Sequence, residues 1–179
     1  MNLPSPLVLA TGNAEKLAEW RRRLPGVEVV AAALPSPVED APDYVGNARI
    51  KALAACAATG LPALGDDVGL AVDALGGRPG LETRRWAESL GGWEAARAEL
   101  AKVAGSGATY ASGLALAWPD GRVVEALGEV RGTVVAPRGE GPGLEPSFVP
   151  DGETRTLAEL GEAHPRHHRS AALRALLAA

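Results

Sequence analysis

The sequence predicts an α/β fold in which helices flank a mixed sheet. Short apolar runs alternate with segments whose apolar residues recur at helical spacing, as Leu17, Trp20 and Leu24 do. Residues 108–135 alternate instead like a long antiparallel hairpin, with Pro119-Asp120-Gly121 at its turn. An antiparallel portion of this length is not expected in a purely doubly wound sheet.

The elements are predicted in the following chain order. Strands cover residues 7–10 and 27–31, and helices cover about 14–24, 43–58 and 92–105. Residues 34–44 form a polar connection broken by prolines, and residues 61–77 form two short strands bent around an acidic corner and closed by a Gly-Gly turn. A C-terminal helix begins near Pro165, which suits a first helical position. No repeat or long linker divides the chain, so one domain over residues 1–179 is expected.

Composition excludes several classes of protein. The net charge of −4 and the pI near 5.4 argue against a protein that coats nucleic acid. Cys56 is the one cysteine, so disulfides and cysteine-based zinc sites within the chain are excluded, and we expect a small buried apolar role for it. The N-terminus has no basic region, and its apolar part is too short for export or membrane spanning. The cytoplasm is therefore the expected compartment.

The first motif that could carry chemistry is the turn from the first strand into the first helix, Thr11-Gly12-Asn13-Ala14-Glu15-Lys16. A helix N-terminus offers backbone N–H groups to a phosphate, Gly12 allows close approach, and Lys16 adds a full charge. The spacing of a P-loop is absent. The alternative is an ordinary helix cap at Asn13 with Lys16 in solvent.

Two further motifs follow. Asn47 and Lys51 lie one turn apart and could present an amide and an ammonium to an anion, or form an ordinary solvated face. Asp66 and Asp67 are adjacent carboxylates between apolar residues, and in a strand they point to opposite faces. A carboxylate there could hold Mg²⁺ or take a proton from water, or it could cap backbone N–H groups in a turn.

These motifs, in this order, resemble the inosine triphosphate pyrophosphatase family. The resemblance covers nearly the whole chain. It rests on "LATGNAEKLAEW", "NARIKA", "GDDVGLAVDALGGRPGLETRRWA", "FVPDGETRTLAEL" and the dipeptide His168-Arg169. It implies a long mixed sheet with flanking helices forming two lobes around an active-site cleft, assembled as a homodimer. It also implies Mg²⁺-dependent hydrolysis of ITP, dITP or XTP between the α and β phosphates.

The resemblance also implies roles for individual residues. The triphosphate is expected at a group comprising Thr11, Gly12, Asn13, Lys16, Asn47 and Lys51. Asp67 is expected to bind the metal and accept the proton of the attacking water, with Asp66 beside it as a second metal-site carboxylate. The base is expected at His168 and Arg169, and at a loop that contributes Pro142, Gly143, Leu144 and Glu145; Val68 follows the paired aspartates at the substrate site.

The sequence departs from the family pattern at four places. Gly46 stands where the family commonly has a metal-binding glutamate, and Val68 stands in place of a serine. The base loop, usually G-F-G-[YW]-D-P, is here G-P-G-L-E-P, which removes two aromatic rings and lengthens the acid. The family's S-H-R is His167-His168-Arg169, and Arg166 is the nearest cation to the position of a missing lysine. The phosphate half is therefore expected to be retained and the base half altered.

Two alternatives follow from these departures. Gly46 and Val68 are consistent with a catalytically weak nucleotide-binding paralogue, and the altered loop is consistent with an enzyme of changed base specificity. A zinc cluster at His164, His167 and His168 is less favoured than base contact by His168, because Pro165 interrupts the histidines and no cysteine joins them.

Overall fold

The computed structural model describes residues 1–32 and 37–179. Part of the predicted proline-broken connection, residues 34–36, lies outside the described residues. The strands are β1 Leu7–Leu9, β2 Val29–Ala31, β3 Ala63–Val72, β4 Pro79–Gly80, β5 Gly107–Ala117, β6 Val123–Val134 and β7 Phe148–Pro150. The helices are α1 Ala14–Arg23, α2 Tyr44–Thr59, α3 Thr83–Leu90, α4 Trp93–Ala101, α5 Leu157–Leu160 and α6 His168–Ala178. Short 3₁₀ turns cover Asp73–Leu75 and Glu145–Ser147.

Seven strands form one mixed sheet in the order β2-β1-β3-β5-β6-β7, and β4 pairs with β3. The β1 strand is parallel to both β2 and β3, with Val8 opposite Val30 and Ala63. The β4 strand is antiparallel to β3, and β7 is antiparallel to β6. The predicted fold class, an α/β fold with a long mixed sheet and flanking helices, is confirmed.

The sequence prediction was wrong at one place that matters for the site. Residues 61–77 do not form two strands around an acidic corner, because β3 runs without a break from Ala63 to Val72 through Asp66 and Asp67. The two aspartates are therefore consecutive strand residues, and their side chains alternate between the two faces of the sheet. The C-terminal helix also begins later than predicted, at His168 rather than near Pro165.

The chain divides into two compact units. Unit 1 comprises residues 1–67, 112–128 and 172–179, and unit 2 comprises residues 68–111 and 129–171. Strands β3, β5 and β6 each contribute residues to both units. The expectation of one domain over residues 1–179 stays a prediction.

Each unit has its own apolar core. Unit 1 buries Trp20 completely, together with leucines of β1, β3 and β5, and a second cluster that includes Cys56 is built almost wholly of alanine and valine. Unit 2 packs the aromatic pair Tyr110 and Phe148 against Leu100 and Leu144. Three of the seven aromatic residues, Trp20, Tyr110 and Phe148, are thus buried in these cores.

Across the described ranges, the structure contains no helix with both the length and the apolar character that a membrane span requires.

Candidate functional site

The first group of polar residues lies in unit 1, around the buried carboxylate of Asp66. Its Oδ2 accepts from the indole Nε1 of Trp20 at 3.1 Å, and its Oδ1 accepts from the hydroxyl of Ser112 at 3.3 Å. The ammonium of Lys16 lies 3.0 Å from the same Oδ2 and donates to the backbone carbonyl of Asp66 at 3.0 Å. Because this carboxylate is almost fully covered, its geometry favours a role in positioning Lys16.

Asp67 points to different partners. Its Oδ2 accepts from Asn47 Nδ2 at 3.1 Å, and its Oδ1 lies 3.4 Å from Lys51 Nζ. Asn47 is itself almost fully buried, and its Oδ1 accepts from the backbone N–H of Ala41 at 3.0 Å. The amide of Asn47 therefore fixes the orientation of Asp67 and ties the chain before α2 to the same place. The opposed directions of Asp66 and Asp67, predicted from strand geometry, are confirmed.

Glu39 joins this group from the connection that precedes α2. Lys51 Nζ lies 2.9 Å from Glu39 Oε2, so a single ammonium bridges the carboxylates of Glu39 and Asp67. Burial raises the pKa of Asp67, and Glu39 raises it further, whereas Lys51, Asn47 and Lys16 lower it. The net shift is upward, so removal from water outweighs the nearby cations.

Crowding explains why glycine stands at position 46. A Cβ at Gly46 would lie 2.6 Å from the Cβ of Ala41 and 3.3 Å from Asp43 Oδ1. Asp43 caps α2 by accepting from the backbone N–H of Gly46 at 2.7 Å. A glutamate at position 46, as in the family pattern, would require this cap region to move. Glu39 supplies a carboxylate near Asp67 from another place in the chain.

The turn before α1 is capped by its own side chains. Asn13 Oδ1 accepts from the backbone N–H groups of Glu15 at 2.9 Å and Lys16 at 3.2 Å, and Thr11 Oγ1 accepts from the N–H of Asn13. Asn13 is thus the N-cap of α1, as the alternative prediction had it, but Lys16 contacts Asp66 and does not lie in solvent as that alternative also expected. A Cβ at Gly12 would meet no atom within 4 Å among the described residues, so packing within the chain does not require glycine there.

The second group lies in unit 2, where Glu145, His167 and His168 are all buried. His167 Nε2 lies 3.1 Å from Glu145 Oε1, and His168 Nε2 lies 3.6 Å from the same oxygen. The ring of His168 stacks on Tyr110, with centroids 4.2 Å apart and an interplanar angle of 4°. Arg169 is also nearly buried, with Nη1 4.0 Å from Glu145 Oε1.

Hydrogen bonding assigns the tautomer of His167. Its Nδ1 accepts from the backbone N–H of Arg169 at 3.2 Å, so the proton of the neutral ring is on Nε2 and is donated to Glu145. The three ligand atoms of Glu145, His167 and His168 lie within 4.8 Å of one another, as in a metal site. The proton on His167 Nε2 opposes metal binding there, because a ligating nitrogen must present its lone pair.

Burial and hydrogen bonding set the charges of this group. Burial alone would raise the pKa of Glu145, but the imidazoles of His167 and His168 outweigh it and the pKa falls well below its ordinary value. Burial lowers the pKa of His168 well below its ordinary value, so that ring is neutral at pH 7. Within the described residues, neither nitrogen of His168 has a hydrogen-bond partner. A neutral imidazole has one donor and one acceptor, and both nitrogens of this ring are covered by the surrounding protein.

The loop over residues 141–146 carries the altered base motif. Leu144 is completely buried in the unit 2 core, and Pro142 is exposed. Gly143 has a φ of +54°, which favours glycine. Arg97 of α4 holds this loop, since its Nε donates to the carbonyl of Gly143 and its Nη2 to that of Gly141, each at 2.8 Å.

The structure thus brings the predicted site residues into separate surroundings. Lys16, Asn47, Lys51 and Asp67 are linked by contacts within unit 1, whereas Glu145 and His168 lie together in unit 2. Val68, which follows Asp67, packs against the unit 2 core with its apolar side chain.

Four residues were missed by sequence reasoning. Trp20 and Ser112 hold Asp66, Glu39 shares Lys51 with Asp67, and Arg97 fixes the base loop. Glu39 could have been noticed as an acid in the polar connection just before the Asn47 motif. Arg97 gives no local signal, because its acceptors are backbone carbonyls more than 40 residues away in the chain.

Comparison with known proteins shows the family to which the chain belongs. The family model described as the Ham1 family matches residues 7–179. A dITP/XTP pyrophosphatase of Gluconobacter oxydans is 45% identical over 186 residues, covering 97% of this chain and 89% of that protein. A dITP/XTP pyrophosphatase of Rhodospirillum centenum is 43% identical over 190 residues, covering 96% of this chain and 93% of that protein.

Solved structures show the same fold. A HAM1 protein from Coxiella burnetii matches with a TM-score of 0.80 and 30% identity, covering 96% of this chain and 95% of that one. A nucleoside-triphosphatase (dITP/XTP pyrophosphatase) from Mycobacterium abscessus matches with a TM-score of 0.68 and 35% identity, covering 95% of each chain. The resemblance drawn from the sequence motifs is confirmed, and the chain belongs to the Ham1 family.

Proposed function

We propose that this chain hydrolyses non-standard purine nucleoside triphosphates (ITP, dITP and XTP) to the nucleoside monophosphate and pyrophosphate. The observation that carries the proposal is the pair of carboxylates, Glu39 and Asp67, held on either side of Lys51. Relatives named dITP/XTP pyrophosphatase match nearly the whole chain, which supports the same reaction here.

Residues of unit 1 would bind the triphosphate. Lys16 and Lys51 supply positive charge, and each is held in place by a carboxylate, Asp66 or Asp67. A fixed ammonium stabilises the charge that shifts between phosphate oxygens during phosphoryl chemistry without having to reorganise. We include Thr11, Gly12 and Asn13, because the space beside Gly12 allows a phosphate to approach the backbone.

Mg²⁺ fits the oxygen atoms of Glu39 and Asp67. The structure already places one cation, the Lys51 ammonium, 2.9 Å and 3.4 Å from these two carboxylates, and Mg²⁺ prefers such hard oxygen ligands. When bound, Mg²⁺ would screen the charge of the polyphosphate. We assign the metal to Asp67 and Glu39 rather than to Asp66, whose oxygens are occupied by Trp20, Ser112 and Lys16.

Asp67 is also the proposed acceptor of the proton from the attacking water. Its raised pKa makes it a better base than an ordinary aspartate. Asn47 holds the carboxylate in one orientation, which favours in-line attack on the α-phosphorus. This role predicts that Asp67→Asn retains the fold and loses turnover.

Unit 2 would contact the base. His168 is neutral and completely buried, and its ring nitrogens have no hydrogen-bond partner among the described residues, so contact with a base edge would require this ring to become accessible. Arg169 follows His168 in the chain, and Glu145 contacts both His167 and Arg169. We propose a homodimer and a cytoplasmic location as well, on the resemblance and on composition.

The experiment is an assay of pyrophosphate and orthophosphate release across ITP, dITP, XTP and the standard nucleotides, with and without Mg²⁺. The proposal expects pyrophosphate from the deaminated purines, only with metal, and no turnover in Asp67→Asn. Orthophosphate as the first product would contradict it. Nucleotide binding without turnover would favour a binding paralogue, and turnover of modified pyrimidine triphosphates alone would favour altered specificity.

A further inference from the structure

The base loop has no aromatic side chain, yet an exposed indole lies beside it. Residues 141–146 read G-P-G-L-E-P, and Leu144 is completely buried in the unit 2 core. All four tryptophans lie in the described residues, and Trp93 is the most exposed of them, with 38% of its surface accessible. The indole at the N-terminus of α4 combines a large apolar face with an N–H donor, and its exposed part is accessible to a ligand.

Trp93 and the loop meet at Gly143. A Cβ at Gly143 would lie 3.9 Å from two atoms of the Trp93 ring (Cη2 and Cζ3) and 3.6 Å from the hydroxyl of Tyr110. The glycine therefore leaves room beside the tip of the indole. Tyr110 in turn stacks on His168, the residue proposed to contact the base.

Arg97 fixes α4 against the same loop. It lies one helical turn after Trp93, and its guanidinium donates to the carbonyls of Gly141 and Gly143, each at 2.8 Å. Residues one turn apart share a helix face, so Trp93 is presented on the side of α4 that holds the loop. Its ring is thus preorganised beside the base loop.

We propose that Trp93 supplies the stacking face for the nucleobase, in place of the aromatic rings that the loop lacks. This inference rests on the proposed function, because it assigns one residue of the base subsite. The ligand class is a purine base, whose π-face stacks on an indole regardless of its exocyclic groups. The selectivity for the deaminated edge would then come from other groups, such as His168.

Steady-state kinetics of three variants test the proposal. Base–aromatic stacking predicts that Trp93→Ala raises KM for ITP about 5- to 150-fold with kcat little changed. Trp93→Phe is expected to restore most of the loss. Leu90→Ala is the matched control, because Leu90 is also 38% exposed and lies three residues before Trp93, and its KM should equal that of the wild type. The inhibition constant of pyrophosphate, which carries no base, should be unchanged in every variant.

A binding measurement tests the base subsite independently of the proposed hydrolysis. Inosine, which has no phosphate, should quench tryptophan fluorescence of the wild type and of Leu90→Ala, and this quenching should be lost in Trp93→Phe. Quenching by inosine in a wild type that releases no pyrophosphate, absent from Trp93→Phe, would still support the base subsite while overturning the proposed reaction. Unchanged KM and unchanged quenching in the Trp93 variants would overturn the subsite. So would a change of oligomeric state with unchanged KM, which would make Trp93 a contact between copies.

Discussion

The carboxylates of Glu39 and Asp67 share one ammonium group, that of Lys51, at 2.9 Å and 3.4 Å. Glu39 comes from the connection before α2, Lys51 from α2 and Asp67 from β3, so three separate segments meet at this point. Two carboxylates this close repel one another unless a cation lies between them. The arrangement is the basis of the metal site proposed here.

Removing the charge of Glu39 is expected to lower the affinity of the enzyme for Mg²⁺ without unfolding the protein. In Glu39→Gln, the Mg²⁺ concentration that gives half-maximal pyrophosphate release should rise about tenfold or more. A magnesium titration of activity measures this. Asp40→Asn is the control, because Asp40 is the exposed neighbour of Glu39. An unchanged Mg²⁺ requirement in Glu39→Gln would remove Glu39 from the site.

Asp67→Asn is expected to raise stability at neutral pH. The folded-state pKa of Asp67 is raised above the ordinary value of 3.8, so the folded protein favours the protonated carboxyl. This contribution to stability is fully present below pH 3.8 and is lost as the pH rises through the raised pKa. The variant should therefore unfold at a higher temperature than the wild type at pH 7, and the difference should vanish near about pH 3.

Asp73 provides a control of opposite sign for this prediction. Its hydrogen bond from Arg131 lowers its pKa, so Asp73→Asn should not stabilise the protein at pH 7. Thermal unfolding of both variants at the two pH values makes the comparison. A lower unfolding temperature for Asp67→Asn at pH 7 would mean that the cations around Asp67 outweigh its burial.

Gly12 and Gly65 are expected to respond oppositely to alanine. Gly12→Ala should change the free energy of unfolding by less than about 0.5 kcal/mol, because its Cβ would enter open space, and it should raise KM for ITP. Gly65→Ala should destabilise by about 1–3 kcal/mol or more, because its Cβ would lie 1.9 Å from the carbonyl oxygen of Ala48. Urea unfolding and KM measurements test both, and a Gly12→Ala variant with unchanged KM would argue against phosphate approach there.

Glu145→Gln is expected to destabilise the protein at neutral pH. The pKa of Glu145 is lowered in the folded protein, so its contribution is present above the ordinary value of 4.5 and is lost as the pH falls toward the lowered pKa. Losing a charge-assisted hydrogen bond to His167 should cost about 1.5–3 kcal/mol at pH 7, with a smaller difference in acid. Glu140→Gln, at the exposed residue just before this loop, should leave the free energy of unfolding unchanged. Equal stability of the two variants would show that the Glu145–His167 contact contributes little.

Local sequence patterns predicted the first helix and the long hairpin correctly. The turn chemistry at Asn13 and the apolar spacing of α1 gave a helix that the structure begins at Ala14 and ends at Arg23. The hairpin turn at Asp120-Gly121 was also confirmed, since Trp118 and Arg122 pair across it. Both features depend on residues close in sequence, which is why the sequence alone can indicate them.

The features that the sequence did not predict depend on residues far apart in the chain. Adjacent aspartates indicated a corner, but Trp20 and Ser112 neutralise the cost of burying Asp66 and let β3 continue. Trp20 and Ser112 lie 46 residues before and after Asp66 in the chain, so the sequence around Asp66 does not indicate them. The same holds for Arg97 and the base loop. Glu39 could be noticed as an acid before α2, but its relation to Asp67 depends on the folded position of Lys51.

The measurement that tests the central claim most directly is hydrolysis of ITP in ¹⁸O-labelled water with Mg²⁺, followed by mass spectrometry of both products. Attack of water on the α-phosphorus places the label in the inosine monophosphate and leaves the pyrophosphate unlabelled. Label in pyrophosphate or orthophosphate would show attack at another phosphorus and contradict the reaction proposed for Asp67 and its neighbours.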